Sequence, residues 1–266
     1  MMRKIKIIFG YIRIIFFKKI AYINAVRYDM LKECASVVIY CYLWSNILQY
    51  NTQIENFTYT EMMVYILGAR ILAGQFNNGI NIQLSLCIYN GNISNELIKP
   101  ISLLFNFFAQ RYGEFFIFLC TRIIPCLLLG GVFVDYINIR IINLLLSFVC
   151  LNFSIIIMFF LEFLIGIFSI YTLSFFGLKQ VKFIILAFLS GTMVPFFILP
   201  KQIELVFQML PFSSMAAMPM YIFLNKYKVD KIIQYFFSQL IWIAGLYIVC
   251  CLVYRKMILK IVVQGG

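Results

Sequence analysis

IINLLLSFVCLNFSIIIMFFLEFLIGIFS, residues 141–169, decides the fold class. The stretch carries one charge, Glu162, and otherwise holds apolar or small polar side chains. A helix rises 1.5 Å per residue, so about 20 apolar residues cross the ~30 Å hydrocarbon core of a bilayer. This stretch is longer than that. A surface helix of a soluble protein would show a polar face once per turn, and this one offers none. It reads as a membrane-spanning helix.

Five further stretches approach the same length and character: residues 33–50, 61–82, 113–134, 181–199 and 232–254. Of the 266 residues 64% are hydrophobic, with a mean hydropathy of +0.96. A soluble domain of ordinary composition is about half apolar, so too little polar surface exists here to cover a water-facing globule. The expectation is an all-α membrane protein of six transmembrane helices. No Pro-, Gly- or Ser-rich linker divides it, which favours one transmembrane domain over residues 1–266. Before the first span, residues 3–20 alternate apolar groups with Lys4, Lys6, Arg13 and Lys18. A helix there would lie in the membrane interface, its basic side on anionic headgroups. Those basic residues interrupt the apolar run and no A-x-A-like site follows, so a cleavable signal is not expected. Between the fifth and sixth spans the chain is apolar but broken by Pro195, Pro200, Pro211 and Pro219. Each proline stops or kinks a helix, and short re-entrant helices on the outer side fit that pattern.

The formal charge is +12, from 22 basic and 10 acidic residues. Under an N-inside topology, Arg3, Lys4, Lys6, Arg13, Lys18, Lys19, Arg27 and Lys32 precede the first span. Lys99, Arg111, Lys179, Lys182, Arg255, Lys256 and Lys260 join them on the cytoplasmic side. Arg140, Lys201, Lys226, Lys228 and Lys231 fall outside, and Arg70 and Arg122 lie within spans. This asymmetry supports both termini in the cytoplasm of a cell membrane. No aromatic or Arg-Gly pattern accompanies the charge, so a nucleic-acid partner is not expected.

Chemistry-bearing motifs are missing. No G-x-x-x-x-G-K-[ST] stands in the chain, nor any Gly-Lys pair, so no phosphate-cradling loop is present. Histidine is absent, which removes the Ser-His-Asp arrangement. The eight cysteines, Cys34, Cys41, Cys87, Cys120, Cys126, Cys150, Cys250 and Cys251, form no C-x-x-C pair. They read as small buried hydrophobes rather than zinc ligands or disulfides. No catalytic residue, metal or cofactor is expected, and any energy source for transport would sit on another polypeptide.

Three stretches carry a resemblance: GNISNELIKPISLLF at 91–105, SGTMVPFFILPKQIELVFQMLPFSSMAAMPMYIFL at 190–224, and the terminal VVQGG at 262–266. In this order and placement the chain resembles the ABC-2 type transporter permeases, the six-helix membrane subunits of ABC exporters, found in bacteria. The resemblance implies a permease that forms a dimer or pairs with a related permease. It also implies that two copies of an ATP-binding subunit drive it. It assigns the turn after span two, here Gly91, Ser94, Asn95, Glu96, Leu97, Lys99 and Pro100, to contact with that ATPase. A short helix over 94–99 with Ser94 as its N-cap is expected there. The Pro195, Pro200, Pro211 and Pro219 segment would close the pathway on the outer side.

Within span two, Arg70, Gly74, Asn77, Asn78 and Asn81 recur at helical spacing, which places them on one face of a continuous helix. That face reads as pathway lining or a permease–permease interface, with interhelical hydrogen bonding as the structural alternative. Glu162 is expected to pair with Arg70 or Arg122. A secondary transporter or channel independent of ATP is the rival reading. It is weakened because one proline-broken region has no partner in the other half. A membrane enzyme is disfavoured by the missing histidine and clustered carboxylates.

Overall fold

The computed structural model describes residues 2–48, 53–54, 57–76, 79–123, 140–168 and 175–258. They are overwhelmingly helical. Helix α1 (Met2–Ala21) leads into α2 (Ile23–Leu48). Strands β1 (Gln53–Ile54) and β2 (Phe57–Thr58) form a minimal antiparallel pair that the sequence pattern did not suggest. Then follow α3 (Tyr59–Ala73), α4 (Ile80–Tyr89), α5 (Ile93–Leu97) and α6 (Leu103–Phe118), the last continued by a π-helical turn, Leu119–Ile123. Helix α7 (Ile141–Phe168) is the apolar stretch read first, and α8 is Phe175–Leu189. Two 3₁₀ turns, Phe196–Ile198 and Pro211–Met215, flank α9 (Lys201–Met209) and precede α10 (Ala217–Phe223). Helix α11 (Val229–Ile258) closes the order.

Local chemistry accounts for several of these boundaries. Thr58 and Glu61 form a reciprocal capping box at the start of α3. The Thr58 N–H donates to Glu61 Oε2 at 2.8 Å and the Glu61 N–H donates to Thr58 Oγ1 at 3.5 Å. Each proline of the 195–219 segment stands at or near the start of a short element. Pro195 and Pro200 sit at N-caps, Pro211 opens its 3₁₀ turn, and Pro219 lies in the first turn of α10. The missing N–H of proline costs nothing there, because first-turn N–H groups have no intrahelical acceptor.

Helix α7 runs through the whole core. Near its start Cys150, Leu151 and Ile155 pack with Phe57, Met62, Tyr65, Phe196 and Tyr221. Midway, Ile157 and Met158 meet Phe76, Leu186 and Met215. Towards its end Phe159, Phe163 and Ile167 pack with Ile80, Leu84, Leu103 and Phe107. Gly166 permits this last approach: a Cβ there would stand 2.9 Å from Leu84 Cδ2. The fold thus has an end carrying α9 and α10 and an opposite end carrying α5.

Among the described residues, α7 and α11 are each long and apolar enough to cross a membrane. Only 11% of the apolar window of α11 is buried. A core helix of a soluble protein would be mostly covered, so α11 presents its apolar length to something other than water.

The remaining expected spans differ from their sequence bounds. Helix α2 starts ten residues before the expected 33, at Ile23, because its acids Asp29 and Glu33 find arginine partners. The expected helix over 61–82 is interrupted between Ala73 and Ile80. The third begins at Leu103 rather than 113, and residues 124–134 of that expectation lie outside the described residues. The fifth, expected over 181–199, is α8 ending at Leu189, followed by a turn at Gly191.

Candidate functional site

The turn expected to meet an ATPase is helix α5, held between α4 and α6. Gly91 enters it at φ +71°, a left-handed conformation that an L side chain rarely adopts. Asn92, not Ser94, occupies the N-cap position; Ser94 lies inside the helix and its Oγ donates to the Gly91 carbonyl at 3.2 Å. Ile93 is buried and fixes one face. Glu96 accepts from Lys99 Nζ at 2.6 Å and from Asn106 Nδ2 at 2.7 Å. Asn106, fully buried on α6, also accepts from the Tyr11 hydroxyl of α1. A hydrogen-bonded chain therefore ties α1, α6 and α5 together. The other side of the turn is open: Asn95, Lys99 and Pro100 are exposed, Leu97 is 39% exposed, Ile98 81% and Tyr89 67%. Isolated exposed apolar residues are ordinary, but here three cluster on one rigidly held projection.

The second constellation surrounds the break between α3 and α4. Breaking a helix orphans the carbonyls at one end and the N–H groups at the other. At the end of α3, Arg111 Nη2 donates to the Gln75 carbonyl at 3.3 Å and Arg122 Nη1 to the Gly74 carbonyl at 3.5 Å. At the start of α4, Glu162 Oε2 accepts from the Ile80 N–H at 3.1 Å. Cations thus face a helix C-terminus and an anion faces an N-terminus, as the helix dipole favours. Gly79 makes the approach possible, because a Cβ at that position would collide with Glu162 and with Asn81.

Glu162 is wholly buried, yet its partners are not Arg70 or Arg122. Lys182 Nζ donates to Glu162 Oε1 at 3.2 Å and to Asn81 Oδ1 at 3.1 Å. Arg111 Nε lies 3.1 Å from Glu162 Oε2, an ion contact whose angle falls short of a hydrogen bond. Arg111 also faces Glu114 at 3.8 Å, and Gln83 Nε2 donates to Glu114 at 2.9 Å. Arg111 and Lys182, expected in loops, are 3% and 4% exposed. Long aliphatic stems bring their charged heads to a carboxylate that could not otherwise stay buried. Beside Glu162 and Lys182 lies an apolar cavity of about 170 Å³, walled by Met158, Ile185, Phe212 and Met215.

Arg70 and Arg122 serve a separate cluster. Arg70 Nη1 is 3.3 Å from Glu33 Oε1, and its guanidinium lies 5.3 Å from the Tyr40 ring centre. Arg122 contacts Asp29 at 3.2 Å and Glu33 at 3.8 Å. On α1 nearby, burial and the Arg122 charge draw Lys19 below the usual lysine range, with Asp29 and Glu114 opposing. Arg70 and Gly74, four apart on α3, both face this Glu33–Arg122 cluster, whereas Asn81, beyond the break, meets Lys182 of α8. Asn77 and Asn78 lie outside the described residues.

The proline-rich segment is fastened by side chains that satisfy its freed carbonyls. Ser147 Oγ of α7 donates to the Pro219 carbonyl at 2.8 Å, Ser154 Oγ to that of Ser214 at 2.5 Å, and Trp242 Nε1 to that of Met209 at 3.0 Å. Buried irregular backbone requires this kind of cover.

The family described as ABC-2 family transporter protein matches residues 34–265. The chain belongs to that family. It is an ABC-2 membrane permease and not the ATPase of such a transporter, in keeping with its apolar helices. Permeases of this family generally work with an ATP-binding subunit. No curated protein matches the chain.

Proposed function

We propose that this ABC-2 permease forms the translocation pathway of a bacterial ABC exporter. In this reading six spans cross the cell membrane with both termini in the cytoplasm, and α1 lies along the inner interface. Two copies of a separate ATP-binding subunit drive the permease pair, one docking on each permease's turn of Gly91, Ser94, Asn95, Glu96, Leu97, Lys99 and Pro100. A second copy of this chain, or a related permease, completes the pathway. The segment of Pro195, Pro200, Pro211 and Pro219 is the re-entrant outer closure. Arg70, Gly74, Asn77, Asn78 and Asn81 line the pathway or the interface with the second copy.

The observation that carries the proposal is the build of α5. Its inner side is tied through Glu96 and Asn106 to α6 and α1, while Leu97, Ile98 and Tyr89 face outward. A push on such a turn reaches α4 and, through Glu162, α7 and α8. The test is co-purification of the tagged chain in mild detergent with the product of an adjacent P-loop gene. A complex that hydrolyses ATP is expected, and its assembly is expected to fail when Leu97 and Ile98 are both replaced by Asp. A chain that binds no nucleotide-hydrolysing protein, yet moves solute down an ion gradient alone in liposomes, would install the ATP-independent transporter instead. The interrupted helix beside a buried carboxylate favours that second reading. Against it, both oxygens of Glu162 are already engaged by Ile80, Arg111 and Lys182.

A further inference from the structure

At the α9–α10 end a cup of about 460 Å³ opens over Phe57, Tyr221 and Tyr227, rimmed by Lys226, Lys228 and Lys231. A tight turn with Asn225 at φ +56° gathers the three lysines. The Lys226 N–H donating to the Tyr221 carbonyl at 2.9 Å closes that turn. The rings form a fixed floor: Tyr221 and Tyr227 stack at 4.9 Å, and Gln208 joins the hydroxyls of Tyr227 (3.0 Å) and Tyr235 (2.6 Å). Lys226 is held over Phe57 at 4.8 Å and contacts Glu61 at 2.6 Å. Glu204 accepts from Gln208 at 2.5 Å and from Tyr221 at 3.4 Å.

Lys228 and Lys231 have no such answer. Among the described residues neither makes an ion pair. Lys231 rests on the rings of Tyr227 at 4.3 Å and Tyr235 at 5.9 Å. A lysine serving only as an interfacial anchor would extend its ammonium to water. This one is held inward over a rigid floor, next to a second unpaired cation. Asp230 and Gln234 also line the cup, and seven residues further along the same side of α11 stand Phe237 and Ile241. These are 66% and 59% exposed, and Ile248, one more heptad on, is 57% exposed. A cationic cup thus sits directly above an uncovered apolar track.

We infer that this cup binds the phosphate group of an anionic amphiphile, with Lys228 and Lys231 on the phosphate and the tail along Phe237, Ile241 and Ile248. The inference is independent of the exporter reading; only the leaflet involved depends on the proposed topology. The test uses the purified full chain in detergent, titrated with dioctanoyl phosphatidylglycerol, dioctanoylglycerol and inorganic phosphate. The phosphatidylglycerol is expected to bind, with Kd raised at least tenfold in the Lys228→Gln/Lys231→Gln variant. Lys201→Gln, an exposed lysine outside the cup, is expected to leave Kd unchanged. Inorganic phosphate binding more than tenfold more weakly identifies the amphiphile as the source. Equal affinity, lost in the same variant, keeps the phosphate site and assigns it to a soluble phosphate compound. Dioctanoylglycerol binding as tightly as phosphatidylglycerol, or an unchanged Kd in the double variant, overturns the inference. Should the double variant fold poorly, Gln234→Arg adds a cation at the exposed rim. It must tighten binding several-fold, and an unchanged Kd there also overturns the inference.

Discussion

Replacing Glu162 by Gln removes one charge and almost no volume, and it isolates the charge balance of the break. In the native chain Glu162 faces Arg111 at 3.1 Å and Lys182 at 3.2 Å with no exposure of its own. The glutamine oxygen still accepts from Ile80, so the helix cap survives and the two cations lose their counter-ion. Glu114 alone remains, 3.8 Å from Arg111 and itself partly exposed. Breaking a buried pair from one side costs about 3–5 kcal/mol, because the survivor is left uncompensated. At roughly 2–4 °C per kcal/mol for a chain of this size, the midpoint falls by about 6–20 °C. Heating the purified chain in detergent and following Trp44 and Trp242 fluorescence reads this directly. Lys99→Gln, which removes a half-exposed partner of Glu96, is the control and should cost at most about 1 kcal/mol. Adding Lys182→Met to Glu162→Gln restores neutrality and should recover a large part of the loss. A Glu162→Gln midpoint within about 1 kcal/mol of native, or a double variant as unstable as the sum of its singles, refutes the charge-node account.

Other substitutions probe neighbouring parts. Gly79→Ala drives a methyl group into Glu162, which Lys182 and Arg111 hold in place, whereas Gly68→Ala meets only the flexible end of Met220. Thermal unfolding should show the first losing about 1–3 kcal/mol and the second clearly less. Asn106→Ala cuts the chain from Tyr11 to Glu96, and amide exchange across Ile93–Leu97 should rise at least tenfold while α7 stays protected. Glu61→Ala removes the carboxylate half of the α3 capping box, leaving the Thr58 side-chain cap, together with the Lys226 contact. A loss of about 1–2 kcal/mol in the same unfolding assay is expected.

What could be read from the chain follows the range of the forces involved. Helices α7 and α11 are near-continuous apolar runs, and length and hydropathy mark them without tertiary knowledge. The short elements of 195–223 announce themselves through prolines, which act within one turn. Gly91 and Pro100 likewise bracket the short helix α5. The break after Ala73 is marked locally only by Gly74 and the Asn77-Asn78-Gly79 run, a turn signal that the helical spacing of the polar residues masks. Its polar residues keep helical spacing, no proline intervenes, and the partners that satisfy its open ends come from Arg111, Arg122 and Glu162, far along the chain. Tertiary charge satisfies the ends that the break opens there. Arg111 and Lys182 escaped for a related reason: a lysine or arginine ends a hydropathy window, although a paired one enters the core along its stem. The signal that remained was a lone Glu162 deep in an apolar run, which demanded a cation from somewhere.

The most direct test of the permease account is site-specific photo-crosslinking from position 98. Ile98 is 81% exposed just after α5, in the turn proposed to meet the ATPase. With a photoreactive residue there, illumination of native membranes should yield an adduct with a P-loop ATPase, and position 209 on the opposite end should not. An adduct from position 209 but none from position 98, or capture of lipid alone at position 98, would contradict the account.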